Sequence, residues 1–324
     1  MILRDDIKFY GKYARYGAGY VAGQLELTTR CFQRCAHCQS WREAEGAHAE
    51  WTLEDAKGLL MQLCDMPFEH LSFTGGDPQA WPHLPALLAW FDGRYALQVS
   101  TALMRDLEPA EAKLWREKVA DVRVSLDAVS LEGYEAMRGV TVDPLQILDR
   151  LRQLQHPRPA TMTTVSEANI GEIPRIVSLL SGMNLRRAMF LPALGVEHSS
   201  EFWLRYRDLT RTYAQFGWTS FGETVAFEHM TPETKCWVRN ISFHIKANGD
   251  VYPCCLVGGE AIATDERFRL GNAHQDLLCA IRARTFPVAC YGRSGLPCDA
   301  ICQFKQRQVN AAAEAAGAVR LSMP

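Results

Sequence analysis

The stretch Thr29-Arg30-Cys31-Phe32-Gln33-Arg34-Cys35-Ala36-His37-Cys38, TRCFQRCAHC, places three cysteines within eight residues, directly after an apolar, β-rich run, QLELTT at 24–29. A disulfide takes an even number of thiols, and a closed structural zinc site takes four ligands. Three thiols on one loop suit a group that leaves a position open to an outside ligand. A CxxxCxxC loop can turn three thiolates toward three corners of one small cluster, and thiolates favour iron-sulfur, zinc or copper(I). Three donors to a four-iron cube leave one iron free. The alternative is zinc with a distant fourth ligand. His37 is poorly placed for that role, because it adjoins Cys38 and neighbouring residues seldom chelate one tetrahedral ion well.

Outward from this loop, five more β-rich runs follow: HLSFTG (70–75), LQVSTA (97–102), VRVSLD (122–127), ATMTTV (160–165) and RRAMFL (186–191). Between them lie helical patterns. One is TLEDAKGLLMQLCDM, with Thr52 as N-cap and Glu54 and Asp55 in the first turn. Others fall at about 83–93, 109–118, 143–155, 171–182 and 200–215. Alternating strands and helices predict right-handed crossovers and a parallel sheet, with sites at the C-terminal ends of the strands. Six repeats cannot close an eightfold barrel, so the expected fold is α/β, a partial (β/α)6 TIM-like barrel.

After Phe216 the pattern changes. ISFHIKA-NG-DVYPC reads as a β-hairpin with Asn248-Gly249 as a two-residue turn, ending in Cys254-Cys255. The tail is rich in Gly, Pro and Cys until a closing helix expected from about Gln303. The expected organisation is an N-terminal extension (1–21), a barrel core (22–216) and a small cysteine-rich hairpin-plus-helix domain (217–324).

The chain has 324 residues, 48% hydrophobic and 22% charged, with a net charge of −2. That is a globular composition without the basic footprint of nucleic-acid binding. No signal pattern opens the sequence and no run approaches eighteen apolar residues, so a cytoplasmic, membrane-free protein is expected. Eleven cysteines without an export signal point to metal ligation or redox chemistry rather than disulfides. Three lie in 31–38, Cys64 stands alone, and seven follow from Cys236, which reads as two metal regions. Cys64 and Cys279 fall in helical patterns with apolar neighbours and are expected in the core.

Cys31-x3-Cys35-x2-Cys38 after the first strand resembles the signature of the radical S-adenosylmethionine (radical SAM) superfamily. FTGGDP (73–78) resembles that family's Gly-Gly-Glu motif, with Asp77 in place of the commoner Glu. VRVSLD is similar to its fourth-strand Ser-Leu-Asp. The resemblance covers roughly residues 22–216. It implies a 4Fe-4S cluster on Cys31, Cys35 and Cys38, with the methionyl amine and carboxylate of SAM on the open iron. One electron would then cleave the sulfonium and release a 5′-deoxyadenosyl radical that abstracts a substrate hydrogen. By the same resemblance Gly75 and Gly76 approach the methionyl amine, Asp77 supports their turn, and His37 packs on adenine. For His37 an exposed loop histidine is the other reading. Ser100, Thr101, Ser125 and Asp127 fall where the ribose or carboxylate of SAM is held, and ordinary strand-end hydrogen bonding is the alternative for all four.

Cys236, twelve residues, Gly249, four residues and Cys254 resemble the start of the SPASM and twitch extensions, which hold auxiliary 4Fe-4S clusters. Cys298-x3-Cys302 is the expected return pair, with Cys290 as the alternative to Cys298. The seven-cysteine SPASM pattern is incomplete here, so one auxiliary cluster is expected. A structural zinc ribbon on Cys236, Cys254, Cys298 and Cys302 is the rival reading.

The resemblance implies a radical SAM oxidoreductase that passes a second electron from the substrate to the auxiliary cluster, with a reductant such as flavodoxin or ferredoxin as partner. Only 23 residues precede the first predicted strand, too few for a leader-recognition domain. That favours a small-molecule substrate, a sugar, cyclitol or nucleoside-type compound in natural-product biosynthesis, over a ribosomal peptide. A peptide-modifying enzyme, a radical SAM methyltransferase or isomerase, and a non-catalytic zinc or iron-sulfur protein are the alternatives. The catalytic residues stay unassigned.

Overall fold

The computed structural model describes residues 22–222 and 242–283, apart from 45–47, 66–67, 194–195, 197, 256–257, 260–263 and 265. The N-terminal extension, Cys236, Cys290, Cys298, Cys302 and the expected closing helix lie outside the described residues.

All six expected strands form: β1 (Ala22–Thr28), β2 (His70–Gly75), β3 (Ala96–Thr101), β4 (Asp121–Ser125), β5 (Pro159–Val165) and β6 (Arg187–Pro192). They pair in parallel, in chain order. The helices between them are α1 (Ser40–Glu43), α2 (Leu53–Cys64), α3 (Leu84–Trp90), α4 (Pro109–Lys118), α5 (Leu131–Arg138), α6 (Pro144–Leu154) and α7 (Ile173–Leu180), with α8 (Ser200–Tyr213) after β6. Thr52 caps α2 as expected, its side chain accepting from Asp55 N at 3.1 Å. Helix α5 was not anticipated. Ser130 caps its start by accepting from Gly133 N, and Gly139, at φ 64°, closes its end.

Strand alternation separates two surfaces. Leu25, Leu27, Phe73, Leu97, Val99, Val122 and Val124 turn outward and pack under α2 to α4 against Leu59, Leu63, Leu87 and Trp115. A second core joins Ile173, Ile176 and Leu180 of α7 to Phe190 of β6 and Phe202 and Tyr206 of α8. Each such fully buried side chain contributes roughly 1.5–3 kcal/mol of hydrophobic stabilisation. The opposite face of the sheet is polar. There Gln98 donates to Ser72 Oγ at 2.9 Å, and His70 Nε2 meets Gln98 Oε1 at 3.1 Å.

A seventh strand, β7 (Thr219–Phe221), pairs with β6 beyond the expected boundary at 216. The predicted hairpin forms as β8 (Ser242–Ile245) and β9 (Asp250–Tyr252), and a short β10 (Gly271–Asn272) adds to β9. Strand β8 also pairs in parallel with β1. Barrel and hairpin therefore share one sheet, ordered β10, β9, β8, β1, β2, β3, β4, β5, β6, β7 among the described residues.

The hairpin turn differs from the expected two-residue form. Lys246 N donates to Asp250 O and Gly249 N to Lys246 O, both at 2.9 Å, which leaves a three-residue loop. Only Gly249 takes a positive φ, 87°. A two-residue turn of the expected kind needs one at Asn248 as well. Trp51 pins the hairpin to the barrel: its Nε1 donates to Lys246 O at 3.3 Å, and its ring lies 4.1 Å from His274.

In α9 (Leu278–Ala283), Leu278 and Ile281 enter the main core while Cys279 is exposed, so Cys279 is not the core residue expected. Helical period explains this: positions 278 and 281 share a face that 279 does not. Cys64 is half-buried against the core. Among the described residues no helix is long and apolar enough to cross a membrane.

Candidate metal centre

The cysteine loop leaves β1 at Thr28 and is clamped from two sides. From β2, Gly76 N donates to Thr28 O at 2.7 Å and Asp77 N to Arg30 O at 2.8 Å. A Cβ on Gly76 would stand 2.1 Å from Arg30 O, and one on Gly75, whose φ is 124°, would stand 2.4 Å from Thr28 O. Only glycine lets these backbones meet. The sequence reading directed both glycines at a ligand; the structure also packs them on the root of the cysteine loop.

Asp77 is fully buried. Its carboxylate accepts from Thr101 Oγ1 at 2.7 Å, Ala102 N at 2.9 Å and Gln79 N at 2.9 Å. Burial pushes its pKa up, against the pull of these donors. The Thr101 hydroxyl donates to Asp77 and accepts from Leu103 N at 3.0 Å.

From the other side comes the C-terminus of α5. Arg34 N donates to Arg138 O and Ala36 N to Met137 O, both at 3.0 Å. A Cβ on Gly139 would lie 2.5 Å from Arg34 O. The buried Arg138 guanidinium places Nε 2.7 Å from Asp127 Oδ2 and Nη1 3.3 Å from Gln33 Oε1 and 3.5 Å from Cys35 Sγ. Gln33, also buried, donates to Tyr134 Oη at 2.7 Å. Trp41 Nε1 donates to Cys35 O at 3.0 Å, and Arg42 donates to the carbonyls of Cys38 and Ala36.

Burial governs the charge states. It pushes Cys31 up to about 12, with Asp77 adding to the effect and the Gln33 N–H opposing it. Cys35 is also raised by burial, against the pull of Arg138. Without metal both thiols keep their protons, so loading the site releases protons. His37 falls to about 4, again through burial, with Asp127 opposing and Arg138 and Arg42 adding. Its imidazole is neutral at pH 7, and among the described residues its buried Nδ1 has no hydrogen-bond partner.

The donor set fits an iron-sulfur cluster. Three thiols share one loop, and N–H donors face two of the sulfurs, Gln33 N to Cys31 Sγ at 3.4 Å and Arg138 to Cys35 Sγ. Among the described residues no three His, Cys, Asp or Glu side chains converge on a single metal ion, a convergence that a cube with its ligands on separate irons does not need.

The remaining expected residues divide. Ser100 accepts from Gln98 Nε2 at 3.2 Å. Ser125 is half-buried at the end of β4. Asp127 is fully enclosed, with Arg138 Nε 2.7 Å from its Oδ2 and Thr164 N donating to its Oδ1 at 2.7 Å. Cys254 and Cys255 are half-buried at the foot of the hairpin.

Sequence reasoning missed Gln33, Arg138, Asn169 and Glu172. Asn169 Nδ2 ties Asp127 O to Thr164 O, at 2.7 Å each, and Glu172 accepts from Val129 N at 2.9 Å and Ser130 N at 3.1 Å. Ser130 and Gly139, a cap pair framing one short helix, were the signal that could have found Arg138.

The radical SAM superfamily profile matches residues 25–180, and that of an iron-sulfur cluster-binding domain, SPASM, matches 236–306. Fe-coproporphyrin III synthase of Methanosarcina barkeri is 26% identical over 51% of this chain and 42% of its own length. A PqqA peptide cyclase of Streptomyces rochei is 30% identical over 50% of this chain and 45% of its own. Mycofactocin maturase MftC of Mycobacterium ulcerans is 24% identical over 78% of this chain and 71% of its own. The chain thus spans less than half the length of the first two. The crystal structure of Streptococcus suis SuiB bound to precursor peptide SuiA superposes with a TM-score of 0.68 and 12% identity, covering 94% of this chain and 74% of SuiB, a likeness of fold. The two matched domains, the cysteine loop and the partial barrel agree: the chain belongs to the radical SAM superfamily, carries a C-terminal SPASM domain, and has SAM, a 4Fe-4S cluster and auxiliary iron-sulfur as its cofactors.

Proposed function

We propose that this chain is a peptide-modifying radical SAM enzyme, with Cys31, Cys35 and Cys38 as ligands of the SAM-binding cluster. The observation that carries the chemistry is the clamped cysteine loop, three thiols between the Gly75-Gly76 turn and the end of α5. The peptide substrate is supported by the peptide cyclase, the mycofactocin maturase and the SuiB fold. This favours the alternative over the sugar or cyclitol substrate expected from the sequence. The coproporphyrin relative keeps a small molecule as the second reading.

When bound, the cluster supplies the electron that cleaves SAM to a 5′-deoxyadenosyl radical able to take hydrogen from an unactivated carbon. The protein's part is to position and enclose. Asp77 and the two glycines fix the root of the loop, and His37 offers a neutral imidazole face for adenine. Ser125 provides a hydroxyl at the mouth of β4 for the polar groups of SAM. Net oxidation of the substrate is the finer reading; it rests on the tail cysteines Cys236, Cys254, Cys298 or Cys290, and Cys302 as ligands of the auxiliary cluster.

The test uses anaerobically reconstituted protein with SAM and dithionite. Peptides translated from short reading frames adjoining its own gene are compared with sugar nucleotides and free cyclitols. Faster 5′-deoxyadenosine release with one peptide, and a two-hydrogen mass loss in it, is the expected result. Stimulation by a sugar compound alone would overturn the peptide reading, and no SAM cleavage in any mixture would overturn the chemistry.

A further inference from the structure

We propose that Arg138 sets the reduction potential of the cluster from outside its ligands, by a charge-assisted hydrogen bond to Cys35 Sγ, and that Asp127 limits this effect. The inference rests on reading Cys31, Cys35 and Cys38 as cluster ligands. Arg138 is 6% exposed and Asp127 0%, and taking such a pair out of water carries a heavy desolvation cost.

Docking the loop on α5 does not call for that cost. Arg34 N and Ala36 N bind the backbone carbonyls of Arg138 and Met137, which any side chain at 138 would supply. The guanidinium adds to this backbone docking only through Gln33 Oε1, and its placement is directional. Nε engages Asp127 Oδ2 at 2.7 Å, while Nη1 reaches past Gln33 Oε1 to Cys35 Sγ at 3.5 Å. The cation thus contacts both the ligand sulfur and the carboxylate, and Asp127 is near enough to act on Cys35 with the opposite sign. Hydrogen bonds to sulfur and local net charge set iron-sulfur potentials, and both act strongly in a dry interior. A cation at the ligand sulfur favours the reduced cluster. Arg138 is thus a positioning residue acting through Cys35.

Signs make this testable. R138Q removes a positive charge and should shift the midpoint potential negative. D127N removes the opposing charge and should shift it positive. R138K keeps the charge and should stay nearer the parent. Y134F alters the same network without touching a cysteine sulfur and should leave the potential in place. All four are measured by EPR-monitored redox titration of the reconstituted protein, with iron content and SAM affinity alongside.

Opposite shifts for R138Q and D127N at parental iron content support the proposal. Shifts of one sign in both, no shift in either, or a Y134F shift as large as that of R138Q overturns it. Should R138Q fail to hold iron, D127N against R138K carries the comparison: a positive shift in D127N alone supports the proposal, and its absence overturns it. Failure of the ligand reading itself would look different, as full iron content in C35A.

Discussion

Three donors converge on the enclosed carboxylate of Asp77: Thr101 Oγ1, Ala102 N and Gln79 N. Truncation to alanine strips this acceptor from all three, leaving Thr101 Oγ1 only its bond from Leu103 N, and buried polar groups stripped of partners cost about 1–3 kcal/mol each. Asp77→Ala is therefore expected to destabilise the apoprotein by on the order of 3 kcal/mol, read from the urea midpoint; a change within 0.5 kcal/mol, the ordinary scatter of surface substitutions, would show that these bonds contribute little. His70, on the polar face of the sheet, gives a pH dependence. Burial, reinforced by Arg123, lowers it from 6.5 to about 4. Between those values the unfolded chain binds the extra proton and the folded chain does not, so stability is retained above about pH 6.5 and declines toward pH 4. The decline attributable to His70 is at most about 3 kcal/mol. His70→Asn should flatten the urea-midpoint profile across that window, and an unchanged slope would place its origin elsewhere.

Helix α5 is the element on which the site depends most, and sequence reading overlooked it. The six strands were legible because β-rich runs repeat at helix-spaced intervals, and the cysteine loop because thiol spacing is local. Helix α5 is short, and its apolar contribution is slight: Tyr134 and Met137 are its buried residues beside Arg138. Its partners, Glu172 at one end and Arg34 and Ala36 at the other, are remote in sequence and come together only in the fold. The same remoteness hid the second role of Gly75 and Gly76, which depends on how β1 and β2 meet. The cap of α5 gives a controlled comparison. Gly139 and Gly93 both have positive φ, 64° and 85°, but a Cβ at 93 would meet nothing within 4 Å, whereas one at 139 would press on Arg34 O. Both alanine variants carry the left-handed backbone penalty of roughly 1–2 kcal/mol. Only G139A should also lower the iron retained after reconstitution, by more than half. Equal iron in the two would show that α5 does not hold the loop.

Across the whole molecule, the hairpin joins the barrel through β1, and inside that seam His244 contacts both Gln24 Oε1 and Glu26 Oε1 at 3.2 Å. Glu26→Leu removes one partner from a buried pair and should loosen the hairpin before the barrel. Amide exchange at 242–252 is expected to quicken at least tenfold more than in β3 and β4, and parallel changes throughout would mean that sheet and hairpin open together. The register of the seam reaches further. Tyr252 pairs with His244 and His244 with Gln24, so the chain runs on toward Cys254 beside the start of β1, whereas Cys31 follows its end. Steps of about 3.3 Å from the first to the last of its seven residues make β1 a ruler of roughly 20 Å laid between the two cysteine regions. One inserted residue would lengthen that ruler by about 3.3 Å and turn the side chains beyond it to the opposite face. The spacing of the two cysteine regions and the packing of the barrel are thus written in the same seven residues, and neither can drift without the other.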